Sequence, residues 1–128
     1  MPYGGGDGID ISIPAAADFS AKQFYFIKVD ANGRGTICSS TTDVALGILQ
    51  NKPSAADVPA CVRVDGVSKV AIDGAANEGA LIASDTIGMG TVVTGAGAFV
   101  GAILLHATGG SADVQDALIV HLYPSAVP

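Results

Sequence analysis

Residues Val44–Val70 read VALGILQNKPSAADVPACVRVDGVSKV. Short apolar and β-branched runs, each bounded by Gly, Pro, Asn or Asp, are the pattern of half-buried strands. Val44–Gln50 forms one strand, and its Gly47 marks a bulge or a close backbone approach. Asn51–Asp57 is a loop by composition. Pro59–Val64 is the next strand, Gly66 breaks it, and Val67–Ile72 is another. Three strands in so short a span, with no helical period, fix the class as all-β.

Working outward, Lys22–Val29 (KQFYFIKV) carries three consecutive aromatics and reads as a core strand. Asp30–Gly35 is a turn whose Asn-Gly pair supplies positive φ, and Thr36–Cys38 returns from it. The segment Asp30-x-x-Gly33-x-Gly35-Thr36-Ile37 has a counterpart in Asp85-x-x-Gly88-x-Gly90-Thr91-Val92, 55 positions later. Leu46-Gly47-Ile48-Leu49 is echoed around Gly101-Ala102-Ile103-Leu104, an offset of 54 between Gly47 and Gly101. Ala60–Val64 is echoed by Ala117–His121, an offset of 57. Three landmarks in the same order indicate a tandem copy with loop insertions. Two copies are too few for a solenoid. The expected fold is a small β-barrel or β-sandwich of two related halves, with a pseudo-repeat of about 55 residues, since closure hides strand edges.

The N-terminus is of another kind. Residues 4–8 hold four glycines in five positions, and Ile9-Asp10-Ile11-Ser12-Ile13 then alternates apolar with polar until Pro14. Proline cannot extend a ladder. Residues 1–14 are therefore assigned as an extended arm and 15–128 as one β domain. Such an arm either adds a strand to a neighbouring chain, with Tyr3, Ile9, Ile11 and Ile13 as the binding side chains, or forms an edge strand of its own domain.

Composition narrows the function. Charged residues make up 14% of the chain, against roughly 25% in an ordinary soluble domain. A surface so sparse in charge suits a protein covered by other chains. The net charge is −6, and the six basic residues stand singly. Phosphate neutralisation needs grouped cations, so nucleic-acid binding is not expected. No apolar run reaches the ~18–20 residues that span a bilayer, and MPYGGGDGID lacks the character of a signal peptide. Synthesis and retention in the cytosol are expected. Cys38 and Cys61 lack metal-ligand spacing and read as buried reduced thiols. The Asp-x-x-Gly-x-Gly segments lead into strands, not the helix that a dinucleotide fingerprint requires. His106 and His121 end apolar runs and read as packed or edge histidines, and no nucleophile motif is present. Neither catalytic residues nor a cofactor are expected. An alternative from another class is a non-enzymatic β-barrel module that binds carbohydrate or a host surface.

Ser20–Val29, Gly47-Ile48-Leu49-Gln50-Asn51-Lys52-Pro53, Val62-Arg63-Val64 and Gly66-Val67-Ser68-Lys69-Val70 together resemble the capsid decoration, or cement, proteins of tailed bacteriophages. The similarity weakens after Gly79. The resemblance implies a β-rich protein on the outer surface of an expanded phage head, bridging capsomers formed by the major capsid protein. It further implies a homo-oligomer, in particular a trimer, made in the host cytoplasm and resident in the virion. It implies no enzymatic activity, no cofactor and no catalytic residue.

Overall fold

The computed structural model describes residues 8–109 and 113–122, and among these it is all-β without a helix. The strands are β1 (Gly8–Pro14), β2 (Phe26–Val29), β3 (Gly35–Ile37), β4 (Gly47–Leu49), β5 (Pro59–Ile72), β6 (Leu81–Ser84), β7 (Gly90–Val92), β8 (Val100–Leu104) and β9 (Asp113–Leu122). They form one mainly antiparallel sheet that curls into two small five-stranded barrels. In the first, β1, β5, β4, β2 and β3 pair in that order, and a parallel bridge from Ala15 to Gly35 closes the ring. In the second, β5, β9, β8, β6 and β7 follow the same order, closed by a parallel pairing of Ile72 with Gly90.

β5 serves both rings. Its first half, through Gly66, pairs with β1 and β4; from Val67 onward it pairs with β9. The expectation of two strands separated at Gly66 is corrected: Gly66 lies inside one 14-residue strand. At φ +99° it adopts a conformation open to glycine and costly for other residues, so the ladder changes partners without a loop.

The repeat is more regular than its sequence. Ile27 opposite Ile37 becomes Ile82 opposite Val92, and Leu49 opposite Val62 becomes Leu104 opposite Ala117, each 55 positions on. The drift to 54 and 57 is therefore corrected: Gly47 corresponds to Ala102 and Val62 to Ala117. Only the opening strand is offset by 57, Asp10 opposite Arg63 becoming Val67 opposite Leu118. Two residues are lost from the loop that follows. The paired turns agree to the hydrogen bond. Asp30 Oδ1 accepts from the N–H of Asn32 and Arg34, and Asp85 Oδ1 accepts from Ile87 and Met89.

The Lys22–Val29 strand is shorter than expected, because Phe24 sits at φ +71° and the ladder begins only at Phe26. Its equivalent, Gly79, sits at φ +81°. Both donate their N–H to matching carbonyls, Leu49 and Leu104. The backbone path dictates the left-handed residue, and the first barrel accepts a bulky side chain there.

Each barrel has its own interior. Ile27, Leu49, Ala60 and Val62 fill the first together with Ala15 and Phe19. Val70, Ile72, Ile82, Leu104 and Ala117 belong to a larger cluster that also holds Phe26, Cys38, Ile48 and Phe99. Phe26 and Ile48 alternate with the inward-facing Ile27 and Leu49, so they point out of the first barrel. Both are nonetheless fully buried, because they are pressed between the barrels. A side chain at Gly101 would begin 2.7 Å from the Phe26 ring.

Gly47 and Gly33 separate crowding from conformational strain. A Cβ on Gly47 would collide with the Arg63 carbonyl oxygen, whereas Gly33 faces open space at φ +78°. Gly33→Ala is expected to cost about 1–2 kcal/mol. Gly47→Ala, which must displace backbone, is expected to cost clearly more. Urea denaturation midpoints of the two variants check the order.

Candidate functional site

β1 is where the arm meets the domain. Residues 8–14 pair antiparallel with Pro59–Gly66 of the same chain. Of the two readings of the arm, the single chain forms the edge strand: Ile9, Ile11 and Ile13 lie on a strand of their own domain. Two interactions hold it there. Ile13 and Ala15 pack against the first barrel's interior, and Asp10 receives a charged bond from Arg63, Nε to Oδ1 at 2.7 Å. Arg63 is itself tethered through Nη1 to the Val67 carbonyl at 2.8 Å, so β1 is tied to the partner-switching region of β5. Tyr3 lies outside the described residues.

The three isoleucines share one face but not one environment. Ile13 is half-buried, Ile11 is 37% exposed and Ile9 is 56% exposed. The barrel covers the end of the stripe nearest Pro14 and leaves the rest open. Among the described residues, β1 is paired along one edge only, apart from the bridge at Ala15. An exposed ladder edge beside uncovered apolar side chains can accept a further strand.

Among the described residues, no catalytic constellation converges elsewhere. His121 places Nε2 3.0 Å from the Leu46 carbonyl oxygen and tilts over Phe99. His106 Nε2 lies 4.0 Å from Asp116 Oδ2. Burial pushes the Cys38 thiol up to about 12, and burial with the nearby Asp10 carboxylate also raises Cys61, so neither is an activated nucleophile. Both thiols are free. A cavity of about 210 Å³ lies between Thr41–Thr42 and residues 92–98. Its lining is hydroxyl, glycine and small apolar groups, with no acid or base. Among the described residues, no group of three or more His, Cys, Asp or Glu is placed to hold a metal.

One contact escaped sequence reading. Asp73 and Asp85 lie on successive turns of the second barrel, close enough for the Asp73 carboxyl to act on that of Asp85. Burial raises the Asp85 carboxyl, and the Asp73 carboxyl raises it further, against the lowering effect of the N–H donors from Ile87 and Met89. Asp85 Oδ1 is committed to those two N–H groups and caps the turn. The signal was the duplicated turn, but nothing marked Asp73 as its neighbour.

Comparison with protein-family models and with curated proteins finds no match for this chain.

Two titrations follow with opposite signs. Arg63 lowers the Asp10 carboxyl below its ordinary 3.8, so the stabilisation is present above that value and is lost as pH falls below it. Asp10→Asn should cost at most about 1 kcal/mol at pH 7 because solvent screens the pair. The cost should disappear in acid, read as faster hydrogen exchange of residues 8–14 at neutral pH alone. Asp85 is raised, so its contribution is present in acid and is lost as pH rises through its folded value. Asp73→Asn should therefore raise the melting temperature at pH 7 by a few degrees, and the advantage should shrink toward pH 4.

Proposed function

We propose that this chain is a capsid decoration protein that binds the outer surface of an expanded phage head and bridges its capsomers. The observation that carries the reading is the β1 edge: an apolar stripe, open at Ile9, beside a ladder edge that among the described residues is unpaired up to the bridge at Ala15. A strand or extended loop of the major capsid protein can dock there by β-augmentation, main-chain bonds giving affinity and the Ile9 side chain giving register. Sparse charge and a net charge of −6 suit a shell component that meets protein neighbours and not the packaged DNA. The family resemblance of Ser20–Val29 and Gly47–Pro53 supports the same role. The protein acts without catalysis or cofactor, as a homo-oligomer that includes the trimer as one form. A partner that binds only the assembled shell stabilises it by mass action.

Deleting residues 1–14 is a poor test, because it strips β5 of its neighbour and opens the first barrel. Ile9→Asp changes an exposed side chain and spares the Asp10–Arg63 bond. It should weaken binding to expanded heads by at least about tenfold, a loss of roughly 1.4 kcal/mol, with melting of the free protein unchanged. Co-sedimentation with heads reads the difference. Unchanged affinity removes β1 from the interface. Glycan-array binding without head binding moves the protein to the alternative class, a surface-binding barrel module.

A further inference from the structure

The two barrels are copies, yet they meet through different faces. The first contributes the outward residues Phe26, Cys38 and Ile48. The second contributes Phe99, Gly101 and the Gly88 turn, where Gly101 lies under the Phe26 ring and Gly88 is crowded by Ile37, Cys38 and Tyr25. Three backbone bonds cross the junction, one of them from Ala71 N–H to Phe24 O at 3.0 Å. Phe26 N–H donates to Gly88 O at 2.8 Å, and Phe99 N–H donates to Thr41 O at 2.8 Å. A polar bond joins them, Gln50 Nε2 to Ser68 Oγ at 2.8 Å. Contact between unlike faces of like units is heterologous, so each unit keeps one face unused.

Carrying each contact forward by the repeat identifies the unused faces. On the second barrel, Phe26, Cys38 and Ile48 become Leu81, Val93 and Ile103, all only half-buried. On the first, Phe99, Gly101 and Gly88 become Val44 at 55% exposure, the half-buried Leu46, and Gly33 facing open space. Two of the crossing bonds become Leu81 N–H to Gly33 O, and Val44 N–H to Ala96 O, whereas Ala71 becomes Pro14, which has no N–H to donate. Among the described residues neither amide has a counterpart to the bonds at Phe26 and Phe99, because these faces do not meet within one chain. Gln50 and Ser68 become Leu105 and Ile11. Ser68 is 3% exposed, and Ile11 is exposed. The hydrogen-bonded polar pair inside the chain thus corresponds to an apolar pair on its outside, matched in kind at both ends.

We infer that copies of this chain associate head to tail, the Leu81, Val93 and Ile103 face of one docking on the Val44 and Leu46 face of the next. The docking repeats the contact already made between the barrels except for the bond donated by Ala71, whose counterpart is Pro14. Side-chain volume redistributes without a large change: Leu46 is bulkier than Gly101, whereas Leu81 and Val44 are smaller than Phe26 and Phe99. Inside the chain the units are joined by β5. β9 stays on its own barrel through Leu122, which lies opposite Val100. A heterologous contact closes into a ring when its rotation permits, and otherwise propagates. The trimer named above is one such ring. The inference rests on the internal repeat and not on head binding, so either can fail without the other.

Mixing separates this interface from any other. Sedimentation velocity of the wild-type chain over a concentration series should show association. Val44→Asp and Leu81→Glu should each give monomers, because each destroys one of two complementary faces. Mixed in equal amounts, they retain one intact pair of faces and should form a species of two chains and no larger. Circular dichroism and melting check folding. Should either variant unfold, Ile11→Asp replaces the first and Ile103→Glu the second. A wild-type chain that stays monomeric throughout the series overturns the inference. So do variants that associate like wild type, or a mixture that remains monomeric.

Discussion

β5 must satisfy two barrels at once, and most of the molecule follows from that constraint. A strand that ended at Gly66 would leave the second ring without its first wall and the first ring without an anchor for Arg63. Continuity places the change of partner between Gly66 and Val67, where the glycine's positive φ turns the ladder without breaking it. The Arg63 guanidinium spans that point, bonded to Asp10 on one side and to the Val67 carbonyl on the other. The edge strand and the switch therefore brace each other. The interiors are separate clusters, but the shared strand and the Phe26 layer make independent unfolding of either barrel costly.

Sequence made the repeat visible where backbone geometry needs particular residues. An Asp that caps a turn and a Gly at positive φ recur at Asp30 and Gly33, and again at Asp85 and Gly88. Elsewhere identity misled. Gly47 and Gly101 look equivalent, yet one glycine accommodates the Arg63 carbonyl and the other accommodates the Phe26 ring. They serve different contacts one position apart in the repeat. The equivalence of Phe24 and Gly79 was hidden for the reverse reason: the conformation is shared and the side chains are not. Strand existence was legible from short apolar runs. Strand ends were not, because they depend on carbonyls brought from distant segments, as when Leu49 captures the Phe24 amide.

β1 shows the same division. Alternation of Ile9, Ile11 and Ile13 correctly marks a one-faced strand, and period two says which side is apolar. It says nothing about whose edge the strand joins. That is decided by Asp10 meeting Arg63 across 53 positions of sequence and by Ile13 reaching the barrel interior. Burial along the stripe then falls away toward Ile9. The open part of the arm is the portion its own barrel is too short to cover.

The sparse charge of the chain can now be placed. In a monomer of two fused barrels, the outward faces of β2 and β4 would be expected to carry polar residues, as alternation in a half-solvated sheet requires. On the first barrel they carry Phe26 and Ile48 because the second barrel covers them. On the second the equivalent positions carry Leu81 and Ile103, although no described part of the chain covers them as fully. Solvation alone does not account for apolar residues retained there after the two copies diverged. The Gln50–Ser68 pair and its counterpart Leu105–Ile11 sharpen the point. Both members changed character together, polar inside the chain and apolar outside, as two positions do when they face each other. A residue on the second barrel and one on the first have a reason to match if those surfaces meet, and among the described residues of a single chain they do not.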